Sequence, residues 1–334
     1  MNQEILNMPK VELHCHLDGS LTLASVREIL GKDISPEELQ VQPDCQNLAE
    51  YLQKFDLPIQ CLQTPEGIKK ASRNFLLDVA KENVRYVEVR FAPTCSVNDH
   101  MNYGTVIESV LDGLKEAKEQ CGTFYNVIVC AMRHHDLETN LAMLKGCREF
   151  LGEGVCAADL AGDEAAWPME KFVELFKEAK KLEYPYTIHA GECGRAENIL
   201  GAVELGAARV GHGIAMGRRK DIMDVCRRHR TGIEMCPVSN LQTHAVDSWE
   251  QYPIREFLEE GLLVTLNTDN RTVSGTTLSR EMEEVQKHCG IPLEEFYRIE
   301  RNAVEVAFAD DSVKHELWKM MRTWGKVKSK CEKN

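Results

Sequence analysis

This 334-residue chain lacks several kinds of segment, and each absence excludes a class of function. Positive charge is not in excess, because 40 Lys and Arg stand against 53 Asp and Glu and the formal net charge is −13. A nucleic-acid-binding surface needs a basic stripe, and attachment to anionic membranes needs a basic patch. We therefore expect neither nucleic acid nor a membrane among its partners.

Long apolar runs and closely paired cysteines are also missing. No stretch approaches the roughly 18–20 apolar residues of a membrane span. The opening residues 1–4 have neither the basic start nor the apolar run of a secretory signal. The cysteines are odd in number, 13, and include no C-x-x-C pair. These features predict a cytoplasmic protein whose reduced cysteines are mostly small buried hydrophobic residues.

What is present is an alternation of short β-rich runs with longer amphipathic helical patterns. One helix is expected to begin at Thr64-Pro65, a capping residue followed by proline at the first helical position. The predicted strands are Val11–His16, Val84–Phe91, Tyr125–Met132, Gly154–Leu160, Tyr186–Ala190, Arg209–His212, Gly232–Cys236 and Leu262–Thr268. Eight strands separated by helices predict an α/β fold of the (β/α)8 TIM-barrel type, and a doubly wound sheet is the alternative.

The chain has no linker, internal repeat or low-complexity tract, so we expect a single domain over residues 1–334. The first crossover is long and predicts a helical insertion at about residues 33–66, after strand 1. Leu48, Tyr51, Leu52 and Phe55 form an apolar stripe there, spaced i, i+3, i+4 and i+7. The stripe has two explanations: a helix that faces the core, or a lid over the barrel mouth that excludes water during catalysis.

The most informative run is Val11–Gly19, which contains His14-Cys15-His16. A strand sends residues i and i+2 to the same face. The two imidazoles therefore project together, while Cys15 points the other way. Two imidazoles fixed on one face make half of a metal site, because imidazole is a ligand for zinc, copper, iron and nickel.

The ends of later strands supply the other half of the candidate metal site. In a barrel, catalytic groups lie at the carboxyl ends of the strands. The candidate metal ligands at these ends are His14, His16, His189 and Asp269. Three nitrogens and one oxygen leave room for a water molecule, as a catalytic zinc site requires. A bound metal would lower the pKa of that water from about 15.7 toward about 7.

The candidate catalytic residues are Glu192, His212 and Asp269. Glu192 lies three residues after His189 and is placed to move a proton; His212 can accept a proton from the attacking hydroxide or hold it. Asp269 can bind the metal and orient the water. Each residue alone has a structural explanation, such as a helix cap or a buried histidine. Their coincidence at predicted strand ends favours the site.

Competing metal motifs are missing. The chain has no H-E-x-x-H, and no H-x-E with P-C-x-x-C, which excludes the zincin and cytidine-deaminase arrangements. Strand 4 ends in Asp159-Leu160-Ala161-Gly162 and offers no lysine or glutamate to bridge a second ion. We therefore expect one metal ion per chain.

Taken in order, six blocks of this sequence resemble the adenosine deaminase family within the amidohydrolase barrels, over nearly the whole chain. The blocks are His14–Gly19, Asp159–Glu164, His189–Glu192, Gly211–Gly213, Cys236–Asn240 and Asn267–Asp269. The resemblance implies Zn2+ bound by His14, His16, His189 and Asp269. It also implies that Glu192 protonates the purine ring nitrogen next to the attacked carbon, and that His212 helps to activate the hydroxide.

The same resemblance implies the contacts to a purine nucleoside. Asp18 would hold a ribose hydroxyl, the backbone of Gly162 would meet the pyrimidine-ring edge of the base, and His16 would also border the substrate. This chain departs from the family at Asn270, where many members carry a second aspartate. An asparagine amide can donate to a neutral ring nitrogen without a proton of its own, so we expect base recognition with an altered pH dependence.

Three functional hypotheses follow. The first is deamination of adenosine and 2′-deoxyadenosine, in purine salvage or catabolism. The second is the same chemistry on free adenine or an N6-substituted adenine nucleotide, and the third is a non-catalytic nucleoside binder. A phosphate would need a basic fork. Arg218, Arg219, Lys220 and Arg271 are available, but we interpret them as solvated loop charges. The sequence makes no prediction of oligomeric state.

Overall fold

Parallel strands form the frame of the molecule in the computed structural model, which describes residues 2–42, 45 and 48–331. The strands are β1 (Lys10–His16), β2 (Val84–Phe91), β3 (Phe124–Met132), β4 (Val155–Ala161), β5 (Thr187–Ala190), β6 (Arg209–His212), β7 (Gly232–Met235) and β8 (Leu263–Leu266). Each predicted strand is present, with ends displaced by at most two residues.

The strands pair in chain order, as two four-stranded sheets, β1–β4 and β5–β8. Parallel bridges between Ala158 and Tyr186 and between Cys15 and Asp269 join the sheets at both edges. A doubly wound sheet would leave its edges open and reverse its strand order. The closed order confirms the (β/α)8 barrel and excludes the alternative.

Helices cover the outside of the barrel and connect successive strands. They are α1 (Gln3–Asn7), α2 (Leu23–Leu30), α3 (Pro36–Leu39), α4 (Leu48–Leu52), α5 (Asp56–Cys61), α6 (Pro65–Ala80), α7 (Tyr103–Cys121), α8 (Leu137–Cys147), α9 (Val173–Lys181), α10 (Glu197–Leu205), α11 (Lys220–His229), α12 (Pro237–Gln242), α13 (Ile254–Glu259), α14 (Leu278–Cys289), α15 (Leu293–Val306) and α16 (Asp311–Cys331). Short 3-10 turns occupy Gln53–Phe55, Pro93–Cys95, Arg148–Phe150, Met169–Phe172, Ile214–Met216 and Trp249–Gln251.

Among the described residues, no helix combines the length and apolarity needed to cross a bilayer.

Helix α6 begins where its sequence predicts. The Thr64 side chain accepts a hydrogen bond from the backbone nitrogen of Gly67, and Pro65 occupies the first helical position, where no hydrogen-bond donor is needed. The buried face of the helix includes Phe75 and Leu76. Capping and amphipathicity together place this helix against the barrel wall.

Charged side chains lie inside the barrel as well as apolar ones. Glu88, Arg90, Asp159, Arg209 and Glu234 are completely buried, and we call these five residues the interior ion network. Arg209 pairs with both Glu88 and Glu234. Burying an unpaired charge in the barrel interior would cost much free energy. The folded state therefore requires these opposite charges to pair.

The crossover between β1 and β2 contains helices α2 to α6, and α3, α4 and α5 fall within the predicted insertion at residues 33–66. Residues 43, 44, 46 and 47 of that insertion lie outside the described part of the chain. We call residues 48–61 the lid segment. Its apolar stripe is not one continuous α-helix, because α4 ends at Leu52 and a 3-10 turn follows.

Candidate metal centre and active site

The four candidate metal ligands lie together at the carboxyl ends of β1 and β5 and just beyond β8. One ligand atom from each of His14, His16, His189 and Asp269 lies within 4.8 Å of the others. Nε2 of His16 is 3.2 Å from Nε2 of His189 and 3.5 Å from Oδ1 of Asp269. Nε2 of His14 is 3.4 Å from the same carboxylate oxygen. The chain thus brings three imidazoles and one carboxylate to a single point.

The barrel backbone holds Asp269 against β1. The backbone nitrogen of His16 donates to the Asp269 carbonyl over 2.7 Å, and the Asp269 nitrogen donates to the His14 carbonyl over 2.9 Å. Asp269 has a φ of 58°, a conformation that costs energy for a residue with a side chain. Ser239 donates to its Oδ2 over 2.6 Å. These contacts fix the carboxylate and turn Oδ1 toward the histidines.

The chemistry of this donor set fits a metal ion. Nε2 of His14 is buried and has no hydrogen-bond partner. Burial holds the pKa of His16 well below its ordinary value, so that ring is neutral. Burial would raise the pKa of Asp269, but the adjacent His14 outweighs this effect and keeps that pKa below its usual range. The neutral His16 ring, the unpartnered nitrogen of His14 and the ionised Asp269 carboxylate are the kinds of group that a divalent zinc ion binds.

Two buried carboxylates orient the histidines from behind. Nδ1 of His14 donates to Glu234 over 2.9 Å, and Nδ1 of His189 donates to Asp159 over 2.9 Å. Each bond leaves Nε2 directed at the common point of the cluster, the arrangement that is usual for histidine metal ligands. Sequence reasoning assigned no role to either acid. The sequence feature that could have identified these two acids is a carboxylate within an otherwise apolar, buried strand.

Glu192 is buried beside this cluster. Its Oε2 lies 3.7 Å from Nε2 of His212. Burial, followed by the nearby charge of Asp269, raises the pKa of Glu192 to about 8, so the side chain is protonated at neutral pH. The backbone nitrogens of Gly191 and Glu192 donate to Glu164 over 2.6 and 2.9 Å. Glu164 therefore holds the turn that carries the acid, a role that the sequence analysis missed.

His212 is fixed in one orientation and one protonation state. Its φ of 64° turns the ring inward at the end of β6. The Asn240 amide nitrogen donates to Nδ1 over 2.9 Å, and Tyr252 donates to the oxygen of that amide over 3.2 Å. Burial keeps the pKa of His212 well below its ordinary value. The neutral ring consequently carries its proton on Nε2, on the side of Glu192.

A cavity of about 480 Å³ opens at this cluster. It is lined by the site residues His16, Asp18, Gly162, His189, Glu192, His212, Asp269 and Asn270. Its remaining walls include Met132, His134 and Trp167, together with Leu48, Tyr51, Leu52, Phe55 and Ile59 of the lid segment. Oδ1 of Asp18 and Oδ1 of Asn270 are buried and have no hydrogen-bond partner.

The basic residues considered for phosphate binding do not reach this cavity. Arg271 is 5% exposed and pairs with Glu82 and Asp78, so its interpretation as a solvated loop charge was wrong. Gly19 and Ser20, far away in the chain, hold the backbone of this loop: the Arg271 nitrogen donates to the Ser20 hydroxyl over 3.0 Å, and the Thr272 nitrogen donates to the Gly19 carbonyl over 3.1 Å. Among the described residues that line the cavity, none is lysine or arginine.

Comparison with known proteins agrees with this geometry. The model of the family named "Adenosine deaminase" matches residues 9–324. The chain belongs to the adenosine deaminase family. It is 42% identical over 322 residues to an adenosine deaminase of Clostridium botulinum (strain Okra / Type B1), covering 93% of this chain and 96% of that protein. Membership confirms the prediction of a metal-dependent aminohydrolase enzyme.

Solved structures with the same fold are more distant in sequence. An adenine deaminase from Arthrobacter aurescens superposes with a TM-score of 0.86 at 24% identity, covering 96% of this chain and 99% of that chain. The apo N6-methyl-AMP deaminase from Arabidopsis thaliana gives a TM-score of 0.83 at 24% identity, covering 96% and 98%. At this identity the likeness concerns the barrel fold alone.

Proposed function

We propose that this protein catalyses zinc-dependent hydrolytic deamination of adenosine and 2′-deoxyadenosine, giving inosine or 2′-deoxyinosine and ammonia. The observation that carries the proposal is that a cluster of four candidate metal ligands and the buried carboxyl group of Glu192 meet at one cavity. The name of the Clostridium botulinum relative supports the same substrate.

Zinc would be held by His14, His16, His189 and Asp269, one ion per chain. When bound, it supplies a hydroxide nucleophile near neutral pH by lowering the pKa of a water molecule from about 15.7 to about 7. Asp269 also orients the nucleophile, because Ser239 holds one of its oxygens and leaves the other facing the cluster. The protein itself therefore sets the direction of attack.

Glu192 is the general acid of the proposed reaction. When the hydroxide oxygen bonds to the amine-bearing carbon, the neighbouring ring nitrogen gains electron density and takes a proton. Glu192 is protonated at neutral pH and can donate that proton. The added hydroxyl group then loses its proton to become the carbonyl, this proton passes through the Glu192 carboxylate to the amino group, and the carbon–nitrogen bond breaks to release ammonia. The proton lost by the next water molecule, as it becomes hydroxide, restores protonated Glu192. Water is consumed once in each turnover.

His212 holds the attacking oxygen by donating a hydrogen bond from Nε2. Its Nδ1 already accepts from Asn240, so Nε2 carries the proton and cannot act as a base in this tautomer. A donor aimed at an oxygen that develops negative charge stabilises the transition state. Of the two roles open to His212 from sequence, holding the nucleophile is the one that this contact supports.

Asp18, Gly162 and Asn270 would bind the nucleoside. The unpaired buried oxygen of Asp18 can accept from a ribose hydroxyl. Gly162 has a φ of 104°, a conformation that glycine adopts readily, and it lines the cavity where the pyrimidine-ring edge of the base would lie. The Asn270 amide would meet the imidazole edge. His16, which also lines the cavity, would border the base.

The lid segment would shield this reaction from water. Tyr51 is only 1% exposed, and its hydroxyl lies 2.6 Å from that of Ser274, five residues after the metal ligand Asp269. Apolar side chains of the segment line the cavity. Closing an apolar wall over a substrate strengthens the electrostatic interactions beneath it. We therefore assign the insertion a lid role within a single catalytic domain.

A substrate panel tests the proposal against its alternatives. Zinc-loaded protein should deaminate adenosine and 2′-deoxyadenosine far faster than adenine, AMP or N6-methyl-AMP. Free adenine would leave Asp18 without a partner, and a phosphate would meet a cavity lined by carboxylates. Faster turnover of adenine or of a nucleotide would overturn the substrate assignment. Tight binding of nucleosides without ammonia release would identify a binding protein instead.

A further inference from the structure

The two carboxylates that orient the metal-site histidines are joined by one arginine. Nη1 of Arg90 donates to Asp159 over 3.0 Å, and Nη2 donates to Glu234 over 3.0 Å. Asp159 in turn holds His189, and Glu234 holds His14. A single guanidinium on β2 thus connects supports on β4 and β7 with histidines on β5 and β1.

Arg90 lies outside the cavity, with no exposed surface. Its Nη2 also donates over 2.5 Å to the carbonyl of Leu13, the residue that precedes His14. The planar guanidinium presents its donors at fixed angles, which a lysine ammonium on a flexible stem does not. The three contacts therefore fix the relative positions of both carboxylates and of the β1 backbone.

We infer that Arg90 is a positioning residue that sets the separation and ring orientation of His14 and His189, and so prepares the metal site before the ion binds. The inference rests on the proposed metal centre. Arg90 touches neither the ion position nor the substrate cavity. It acts through Asp159 and Glu234.

The two carboxylates that support the histidines, Asp159 and Glu234, depend on Arg90 to different degrees. Glu234 has a second arginine partner, because Nε of Arg209 lies 2.6 Å from its other oxygen. For Asp159, the described ion pairs are those with Arg90 and His189 alone. Loss of the guanidinium would leave the Asp159 carboxylate buried without an arginine partner, which is energetically costly. We expect the His189 side of the site to loosen more than the His14 side.

The test compares Arg90→Lys with the matched control Arg209→Lys. Both arginines are completely buried and both pair with Glu234, but Arg209 has its second ion pair with Glu88, away from the ligand supports. Zinc affinity is measured by competition with a chelator of known affinity, and site geometry by the visible absorption of the Co2+-substituted proteins. Circular dichroism of the metal-free proteins checks folding.

Arg90→Lys is expected to weaken zinc binding about 10- to 100-fold, as loss of groups that support metal ligands does. Its Co2+ spectrum should shift, while Arg209→Lys, which leaves the Arg90 contacts to Asp159 and Glu234 in place, should change affinity and spectrum much less. Equal effects of the two variants, or no effect of Arg90→Lys, would overturn the inference. Failure of the wild-type protein to bind zinc would instead overturn the proposed function.

A second measurement applies if Arg90→Lys does not fold. Asp159→Asn and Glu234→Gln are made singly and together, and zinc affinity is measured for each. No direct contact between the two residues is described, so non-additive losses of affinity would report coupling through Arg90. Strictly additive losses would mean that the two supports act independently, which contradicts the inference.

Discussion

Asn240 donates a hydrogen bond to Nδ1 of His212 over 2.9 Å, and this contact decides which nitrogen of the imidazole carries the proton. The neutral ring then presents Nε2–H to the cavity. A histidine that holds the attacking oxygen needs this tautomer, whereas a histidine that removes its proton needs the other. The Asn240–His212 pair therefore separates two mechanisms that share the same residues.

Asn240→Asp should reverse the tautomer, because a carboxylate accepts from Nδ1–H and leaves Nε2 without its proton. We expect kcat for adenosine to fall by about 10²-fold, a typical cost of losing one donor to a developing oxygen charge. The zinc content should not change. Steady-state kinetics together with metal analysis measure this. Unchanged or higher kcat would identify His212 as the base.

Glu192→Gln should remove the general acid while keeping the shape of the side chain. Loss of a positioned acid typically costs about 10²- to 10⁴-fold in rate. Because the pKa of Glu192 is raised to about 8 by burial, the active protonated form is present at neutral pH and disappears as pH rises through this value. Wild-type kcat/KM should decline above about pH 8. Ammonia release at full rate by the variant would refute the assignment.

Asn270 should contribute one hydrogen bond to the imidazole edge of the base. Asn270→Ala should lower kcat/KM for adenosine about 2- to 10-fold, which corresponds to the usual 0.5–1.5 kcal/mol of such a bond. Wild-type enzyme should prefer adenosine over 7-deazaadenosine, which lacks the ring acceptor, and the variant should lose that preference. An unchanged kcat/KM in the variant would exclude this contact.

Asn270→Asp offers the complementary test. A carboxyl group donates to a neutral ring nitrogen only while protonated, so this variant should acquire a pH dependence that the amide lacks. Its kcat/KM for adenosine, divided by that of the wild type, is expected to fall as pH rises. A constant ratio between pH 5 and 9 would show that residue 270 does not donate to the base.

Tyr51→Phe should loosen the lid segment by removing the hydroxyl that contacts Ser274. We expect KM for adenosine to rise about 2- to 10-fold, because one hydrogen bond is worth about 0.5–1.5 kcal/mol. Ser274→Ala should give the same effect, and the double variant no more than either. Full additivity would indicate that the two hydroxyls act separately.

The barrel and the clustering of the candidate metal ligands were predictable because their sequence signals are local. Strands enclosed on both sides read as short apolar runs, and the residues at their ends interrupt those runs with chemically distinctive types. His14 and His16 share a face by strand periodicity alone. His189, His212 and Asp269 needed only the rule that strand ends of a barrel converge.

The supporting residues were not predictable in the same way. Asp159 and Glu234 act through partners far away in the chain, and the sequence around each acid does not indicate which residues those partners are. Arg271 illustrates the converse error, because an arginine in a loop is normally exposed to solvent. Here Glu82, at the end of the first crossover, pairs with it in the interior. Long-range charge pairing becomes visible only once the barrel has closed.

The central claim is that four residues hold one metal ion without which the buried acid cannot deaminate a nucleoside. Metal-free protein, prepared with a chelator, is titrated with zinc while the conversion of adenosine to inosine is followed by absorbance. The account predicts no turnover without metal and a linear rise that ends at one zinc per chain, with His14→Ala failing to respond. Full turnover by the metal-free protein would contradict it.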